Sequence, residues 1–199
     1  MSLSSQDMLE AMDGVALLID PGLVVRHIGR SHWNDFWKKN AGSRGPLDVV
    51  GRDITGFFSE GQVRDVYRTL FLDVARSARQ AVKINYRCDS PVLKRSMRLT
   101  VTAVPTGAKA EYLLYQSTTL DVEQRPAIPL FGAPTGAGGP GIVKVCAVCA
   151  KVQWPIGGSA IGTEWIEPQD YYRRGGADVV LLSHGFCGPC QEVLLAEEE

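Results

Sequence analysis

Histidine is scarce, at three in 199 residues, and cysteine occurs only five times. No run of about 18 apolar residues exists, so no membrane-spanning helix is expected. The start, Met1-Ser-Leu-Ser-Ser-Gln-Asp-Met8, has neither the basic end nor the apolar core of a secretory leader. Both absences point to a cytoplasmic, reducing setting, where paired cysteines favour metal or redox chemistry over structural disulfides. No phosphate-binding glycine loop, Gly-x-Ser-x-Gly elbow or His-Glu-x-x-His stretch is present, so no enzyme is expected. The glycine-rich stretch 132–141 lacks both the lysine and the strand-to-helix setting of a phosphate loop. Charge of one sign is missing as well. The net charge is −1, with +3 over residues 1–141 and −4 over residues 142–199. Neither half suggests the clustered basic face of a nucleic-acid binder.

Four of the five cysteines fall in two units, Cys146-Ala-Val-Cys149 and Cys187-Gly-Pro-Cys190, with 37 residues between them. A Cys-x-x-Cys pair grips one edge of a tetrahedral ion, and two pairs complete a shell around Zn²⁺. Cys146, Cys149, Cys187 and Cys190 are therefore the expected metal ligands, and Zn²⁺ the expected cofactor, in a structural role. The unit that carries them is 58 residues long, too small to count on its apolar core alone. Metal binding offsets such a deficit. His184 lies three residues before Cys187 and is either a fourth ligand in place of a thiolate or a hydrogen-bonding neighbour of the site. With four thiolates in the shell no position is open for activating water, which argues for structure over catalysis. Cys187-Gly-Pro-Cys190 also matches the thioredoxin tetrapeptide, but only nine residues follow it, too few for that fold. A thiol-based redox or metal sensor that oxidises and releases zinc is the alternative reading.

Residues 126–141 hold four prolines and five glycines, a composition that sustains neither helix nor central strand. They divide the chain into a first domain, 1–125, a Pro/Gly-rich linker, 126–141, and a small module, 142–199. In the first domain, apolar runs at 15–19 and 23–28 flank Asp20-Pro21-Gly22 and predict a β-hairpin. Trp33, Phe36 and Trp37 suggest a short helix. Val63, Val66, Tyr67, Leu70, Phe71, Val74 and Ala78 form the stripe of a helix over 60–78. Ser59 and Gln62 read as a capping box at its start. Alternation predicts strands at 81–87, 96–104 and 111–118. Two strands, helices, then three strands is an α+β layout with one antiparallel sheet and its helices on one face. In the module, Pro168 predicts a helix start and Val179–Leu182 a strand, with a last short helix after Cys190.

This order resembles the PAS sensory domain, carried by the Asp20-Pro21-Gly22 hairpin, the Gly51-Arg-Asp-Ile-Thr-Gly-Phe-Phe58 stretch and the long helix after it. Tyr86-Arg-Cys-Asp-Ser-Pro91 is similar to a string in bacterial PAS-type proteins. The resemblance implies a five-stranded sheet in the order 2-1-5-4-3, a cavity for an organic ligand, and a homodimer formed through Leu3–Met12. Trp33, Trp37, Tyr67 and Phe71 are candidates to line that cavity, against the plainer reading of core aromatics. The long helix has no histidine to ligate haem, and His27 and His32 read as surface or capping residues. The 51–58 stretch has no cysteine for a flavin adduct. Cys88 reads as a partly buried side chain, and Arg87 with Asp89 as a local ion pair.

The C-terminal module resembles a small, zinc-ribbon-like cysteine module attached to bacterial PAS and response-regulator proteins. A Cys-x-x-Cys, a tryptophan and Ser183-His-Gly-Phe-Cys-Gly-Pro-Cys190 occur there in this order. The acidic turn usual after the first pair is replaced here by Trp154-Pro-Ile-Gly-Gly-Ser159. The two resemblances together imply a bacterial sensory or regulatory module. It would sense a ligand or dimerise through the first domain and dock a partner, such as a histidine kinase or transcription regulator, through the second.

Overall fold

A short turn sets the first hairpin. Asp20 Oδ1 accepts hydrogen bonds from the Gly22 and Val24 amides at 2.9 and 3.0 Å, and Arg26 clamps Oδ2. This closes β1 (Val15–Ile19) onto β2 (Val25–Ile28), antiparallel, with a bulge between Leu18 and Ile19. Leu23 holds a left-handed φ of 69° while its side chain is fully buried. An L-residue costs on the order of 1–2 kcal/mol in that conformation, and burial of the leucine side chain offsets it.

The structure is a computed structural model that describes residues 4–40, 48–59, 61–106, 109–132, 141–155, 163–178 and 180–196. Leu3 and Val179, both named above, lie outside the described residues, as does most of the segment after Trp154.

Helix α1 (Ser5–Glu10) is closed by a capping box in which the Ser4 hydroxyl and the Asp7 carboxylate each satisfy the other's amide. Helix α2 (Arg30–Asn40) carries Trp33, Phe36 and Trp37. A 3-10 turn over Ile54–Phe57 is capped by Asp53 and leads to α3 (Gln62–Ala75), which buries Val63, Tyr67, Leu70, Phe71 and Val74. The expected capping box at Ser59 and Gln62 is not formed. The helix starts one residue after Gly61, whose φ of 69° turns the chain in, and no side chain caps it. At the other end Ser77, at φ 59°, closes a Schellman motif, with the Ala78 amide on Asp73 O and the Ser77 amide on Val74 O.

Strands β3 (Ala81–Arg87), β4 (Leu93–Thr106) and β5 (Lys109–Gln124) follow, the last two longer than alternation alone predicts. The antiparallel sheet runs β2-β1-β5-β4-β3. β1 pairs antiparallel with β5 from Val15 opposite Ser117 to Ile19 opposite Leu113, so the first strand enters beside the last. This is the order implied by the resemblance, and the architecture is α+β and PAS-like.

The chain divides into two compact units that do not follow a single cut in sequence. One comprises Met1–Ile84 with Met97–Leu120, the other Asn85–Ser96 with Asp121–Glu199. The second contains β6 (Ile142–Cys146), β7 (Val152–Pro155), β8 (Thr163–Ile166), α4 (Pro168–Arg173), β9 (Leu181–Gly185) and α5 (Gly188–Leu195). Its sheet runs β8-β7-β6-β9. β7 pairs antiparallel with both β6 and β8, whereas β6 and β9 are parallel, from Ile142 opposite Leu181 to Cys146 opposite Gly185. The strand expected over 179–182 is thus shifted towards His184, which the parallel register requires.

Its core includes Val145, Val152, Ile166, Tyr171 and Leu182, joined by Ile128 and Leu130. The last two come from the segment read as linker. Pro129–Gly132 forms a 3-10 turn, the Ile128 amide donates to Pro91 O at 2.8 Å, and Leu130 is fully buried. Two apolar side chains suffice to anchor a stretch whose composition otherwise reads as flexible. No helix among the described residues is long and apolar enough to cross a membrane.

Candidate metal centre

Two local devices present the four cysteines. The first pair sits on a turn that leaves β6. Cys146 is its last strand residue, and the chain folds back so that the Ala150 amide donates to Cys146 O at 3.0 Å and the Cys146 amide to Lys151 O at 2.8 Å. Ala150 takes a φ of 58° to make that return. The second pair sits at the start of α5, with Cys187 as N-cap and Cys190 in the first turn, and Gly188-Pro189 suits a helix beginning. The parallel β6–β9 pair brings the two devices together, because Cys146 lies opposite Gly185 and the Ala147 amide donates to Gly185 O at 2.9 Å. Gly185 also leaves room for the methylene stem of Lys144 beside it.

The four ligand sulfurs lie within 4.8 Å of one another. Cys187 Sγ is 3.7 Å from both Cys146 Sγ and Cys149 Sγ. That is far beyond a disulfide bond of about 2.05 Å. It matches the edge of a sulfur tetrahedron, about 3.8 Å for sulfurs about 2.3 Å from a central ion. Cys146 and Cys187 are buried and Cys149 and Cys190 half-buried. The residues therefore fit a four-coordinate thiophilic metal ion, with both Cys-x-x-Cys pairs contributing.

Their electrostatics point the same way. Cys146 is drawn far below the ordinary thiol range, first by the Cys149 S–H and then by the backbone amides of Cys149, Cys187 and Val148, against the cost of its burial. Cys149 is pushed well above that range by the same thiol contact and by burial, and Cys190 is raised by burial and by its bond with Cys187. Cys146 is thus drawn towards the thiolate, while Cys149 and Cys190 are held towards the thiol. A bound cation would be needed to hold four thiolates together, and its uptake would release protons.

His184 stands on β9 opposite Val145, with burial holding its imidazole towards the neutral form against the pull of Cys146. Its ring is not part of the converging ligand cluster, which among the described residues contains the four cysteines alone. The aromatic candidates divide between two helices. Trp33 and Trp37 stand on α2 with ring centroids 5.9 Å apart, and the Trp37 indole N–H is buried with no acceptor among the described residues. Tyr67 and Phe71 stand on α3, 6.0 Å apart and buried, where Tyr67 stacks on Phe58 at 4.5 Å and Phe71 meets Tyr115 edge-on.

No family model and no curated protein matches the chain. Solved structures do resemble it. One is the photoactive yellow protein domain of the sensor histidine kinase Ppr from Rhodospirillum centenum, 15% identical, covering 60% of this chain and 93% of that one, with a TM-score of 0.37. Another is the PAS domain of nitrogen regulation protein NR(II) from Vibrio parahaemolyticus, also 15% identical, covering 60% of this chain and all of that one, with a TM-score of 0.36.

The sequence also hid a set of polar residues beside the first cysteine pair. Arg87, expected only to pair locally with Asp89, does so, and also reaches Cys149 O at 3.3 Å and Glu167 at 3.2 Å. Arg125 closes on the same carboxylate at 2.8 Å, and the Asp89 side chain is completely buried. The available signal was the Arg-x-Asp spacing at the end of a strand, which reveals the pair but not its reach.

Proposed function

We propose that the chain is a non-enzymatic sensory and regulatory module of a bacterial cytoplasmic signalling system. A PAS-like domain, 1–125, binds a small organic ligand or forms a homodimer. A small module, 142–199, held by one structural Zn²⁺ on Cys146, Cys149, Cys187 and Cys190, docks a signalling partner such as a histidine kinase or transcription regulator. The strand order of the first sheet supports the sensory half. The reading rests most heavily on the pair of 3.7 Å sulfur separations, which suit a closed shell of four thiolates. Such a shell has no open position for substrate or water, so the metal supplies stability rather than chemistry. His184 would hydrogen-bond near that shell and steady it.

Native mass spectrometry of freshly purified full-length chain under reducing conditions tests this directly. One zinc per chain is expected, absent from Cys187→Ser, with oligomeric state and any retained ligand in the same spectrum. A folded, metal-free chain overturns the metal assignment. One observation favours a redox reading in second place: Cys146 is thiolate-prone and its sulfur lies 3.7 Å from that of Cys187. If zinc and fold survive mild peroxide, that reading fails.

A further inference from the structure

Arg87 occupies an unusual position in the second unit. It is the last residue of β3, and its backbone amide donates to Val148 O at 2.8 Å, inside the Cys146–Cys149 turn. Its guanidinium reaches the carbonyl of Cys149, itself one of the four clustered cysteines, at 3.3 Å. The other side of the fork grips Asp89, with Nε 3.3 Å from Oδ1 and Nη2 on Oδ2. Asp89 in turn accepts from the Arg95 amide at 3.2 Å and from Arg125 at 2.8 Å, and its side chain has no exposure. A single side chain thus ties the backbone of the first cysteine pair to a buried carboxylate in the 85–96 segment, more than fifty residues earlier in sequence. Arginine suits this post because its planar fork serves two acceptors at once in fixed geometry. It also sets a permanent cation close to a shell of four thiolates, which with a divalent ion carries a net charge of −2.

We propose that Arg87 is a positioning residue of the metal site, and that through it metal binding and the ordering of residues 85–96 are one equilibrium. The proposal rests on the four-cysteine metal reading and assigns that site its regulation. An ion that fixes the Cys146–Cys149 turn also fixes the two carbonyls that Arg87 holds. By linkage, anything that orders the 85–96 segment raises metal affinity by the same factor.

Two measurements on the full-length chain test it. Zinc affinity, from competition with a chromogenic chelator, should fall about 10- to 100-fold in Arg87→Ala, the scale for residues that orient metal ligands. Arg87→Lys keeps the charge but not the fork, and should recover part of that loss. Hydrogen exchange at the Arg87, Cys88 and Ser90 amides, bonded to Val148 O, Arg95 O and Leu93 O, should speed up when zinc is stripped from the unaltered chain. The β1 amides serve as the internal reference. The same three amides should already exchange faster in Arg87→Ala at saturating zinc. A folded Arg87→Ala chain with unchanged zinc affinity overturns the proposal and leaves the metal site standing. So does exchange at 87–90 that is indifferent to zinc in the unaltered chain, a result that needs no variant to fold. An unaltered chain that takes up no zinc overturns the metal reading itself, and this inference with it.

Discussion

Truncating Leu130 to alanine separates an anchored segment from a free linker. Leu130 is fully buried among Val145, Val152, Ile166 and Leu182 of the second unit, although it lies in a stretch with nine prolines and glycines. Removing three carbon atoms forfeits about 2.4 kcal/mol at about 0.8 kcal/mol per buried methylene. The space left behind adds to that, so the whole effect should be about 3 kcal/mol. For a unit of this size that corresponds to a fall of roughly 10–20 °C in the midpoint of its unfolding transition. Scanning calorimetry at saturating zinc, in the variant and the unaltered chain alike, reads the shift without a difference in metal loading. Val193→Ala is the control, because Val193 is 76% exposed on α5 of the same unit and its truncation should cost less than about 0.5 kcal/mol. If Leu130→Ala shifts the transition no more than Val193→Ala does, the burial argument is wrong and residues 126–132 behave as a linker.

Ser77→Gly should raise stability by about 0.5–1 kcal/mol in thermal melts, since Ser77 is exposed at φ 59° and glycine relieves that conformation at a smaller cost in chain entropy. Gly14→Ala should lower it by at least about 2 kcal/mol in urea titrations, because Gly14 has a φ of 74° and a methyl group there would strike Ser117 O. Asp53 should make the first unit acid-sensitive. Burial raises its carboxyl, but the Thr55 hydroxyl and amide and the Arg68 guanidinium outweigh that and hold it below the usual carboxylate range. A carboxylate lowered in the folded state adds stability above its unfolded value, about 3.9, and loses it as pH falls through the folded one. Stability of the unaltered chain should therefore drop below about pH 4, and Asp53→Asn should be less stable at pH 7 with a flatter acid limb.

Much of the first sheet could be read from local chemistry. Asp20-Pro21-Gly22 marks its hairpin, and Val63, Tyr67, Leu70, Phe71 and Val74 mark α3, because turn residues and helical periodicity act within a few positions. The entry to α3 could not, since a serine three residues before Gln62 has the composition of a cap whether or not the chain lets it reach. The convergence of the four cysteines was legible because two Cys-x-x-Cys pairs restrict residue type and spacing together. The parallel pairing of β6 with β9 left no such trace. It joins strands some forty residues apart through a crossover, and no local pattern records which strand will return beside which. Arg87 stayed hidden for the same reason. Its partners Cys149 and Glu167 lie 62 and 80 residues away, and nothing in an Arg-x-Asp pair says that the arginine also holds two distant acceptors.

Cys187-Gly188-Pro189-Cys190 shows how context decides what a tetrapeptide does. At a helix start the dipole favours thiolates, and in a dithiol catalyst that activated sulfur must meet a partner's disulfide. Cys187 caps α5 but is only 4% exposed, and two further sulfurs lie 3.7 Å away in the protein interior. An incoming disulfide would find almost none of it exposed, and the neighbouring Cys146–Cys149 turn is fixed in place. That turn is held at its base by the β6–β9 pairing and across its carbonyls by Arg87. The same tetrapeptide that serves an exposed dithiol at a helix start stands here among two further sulfurs in the interior, an arrangement that suits a thiophilic cation better than an incoming disulfide.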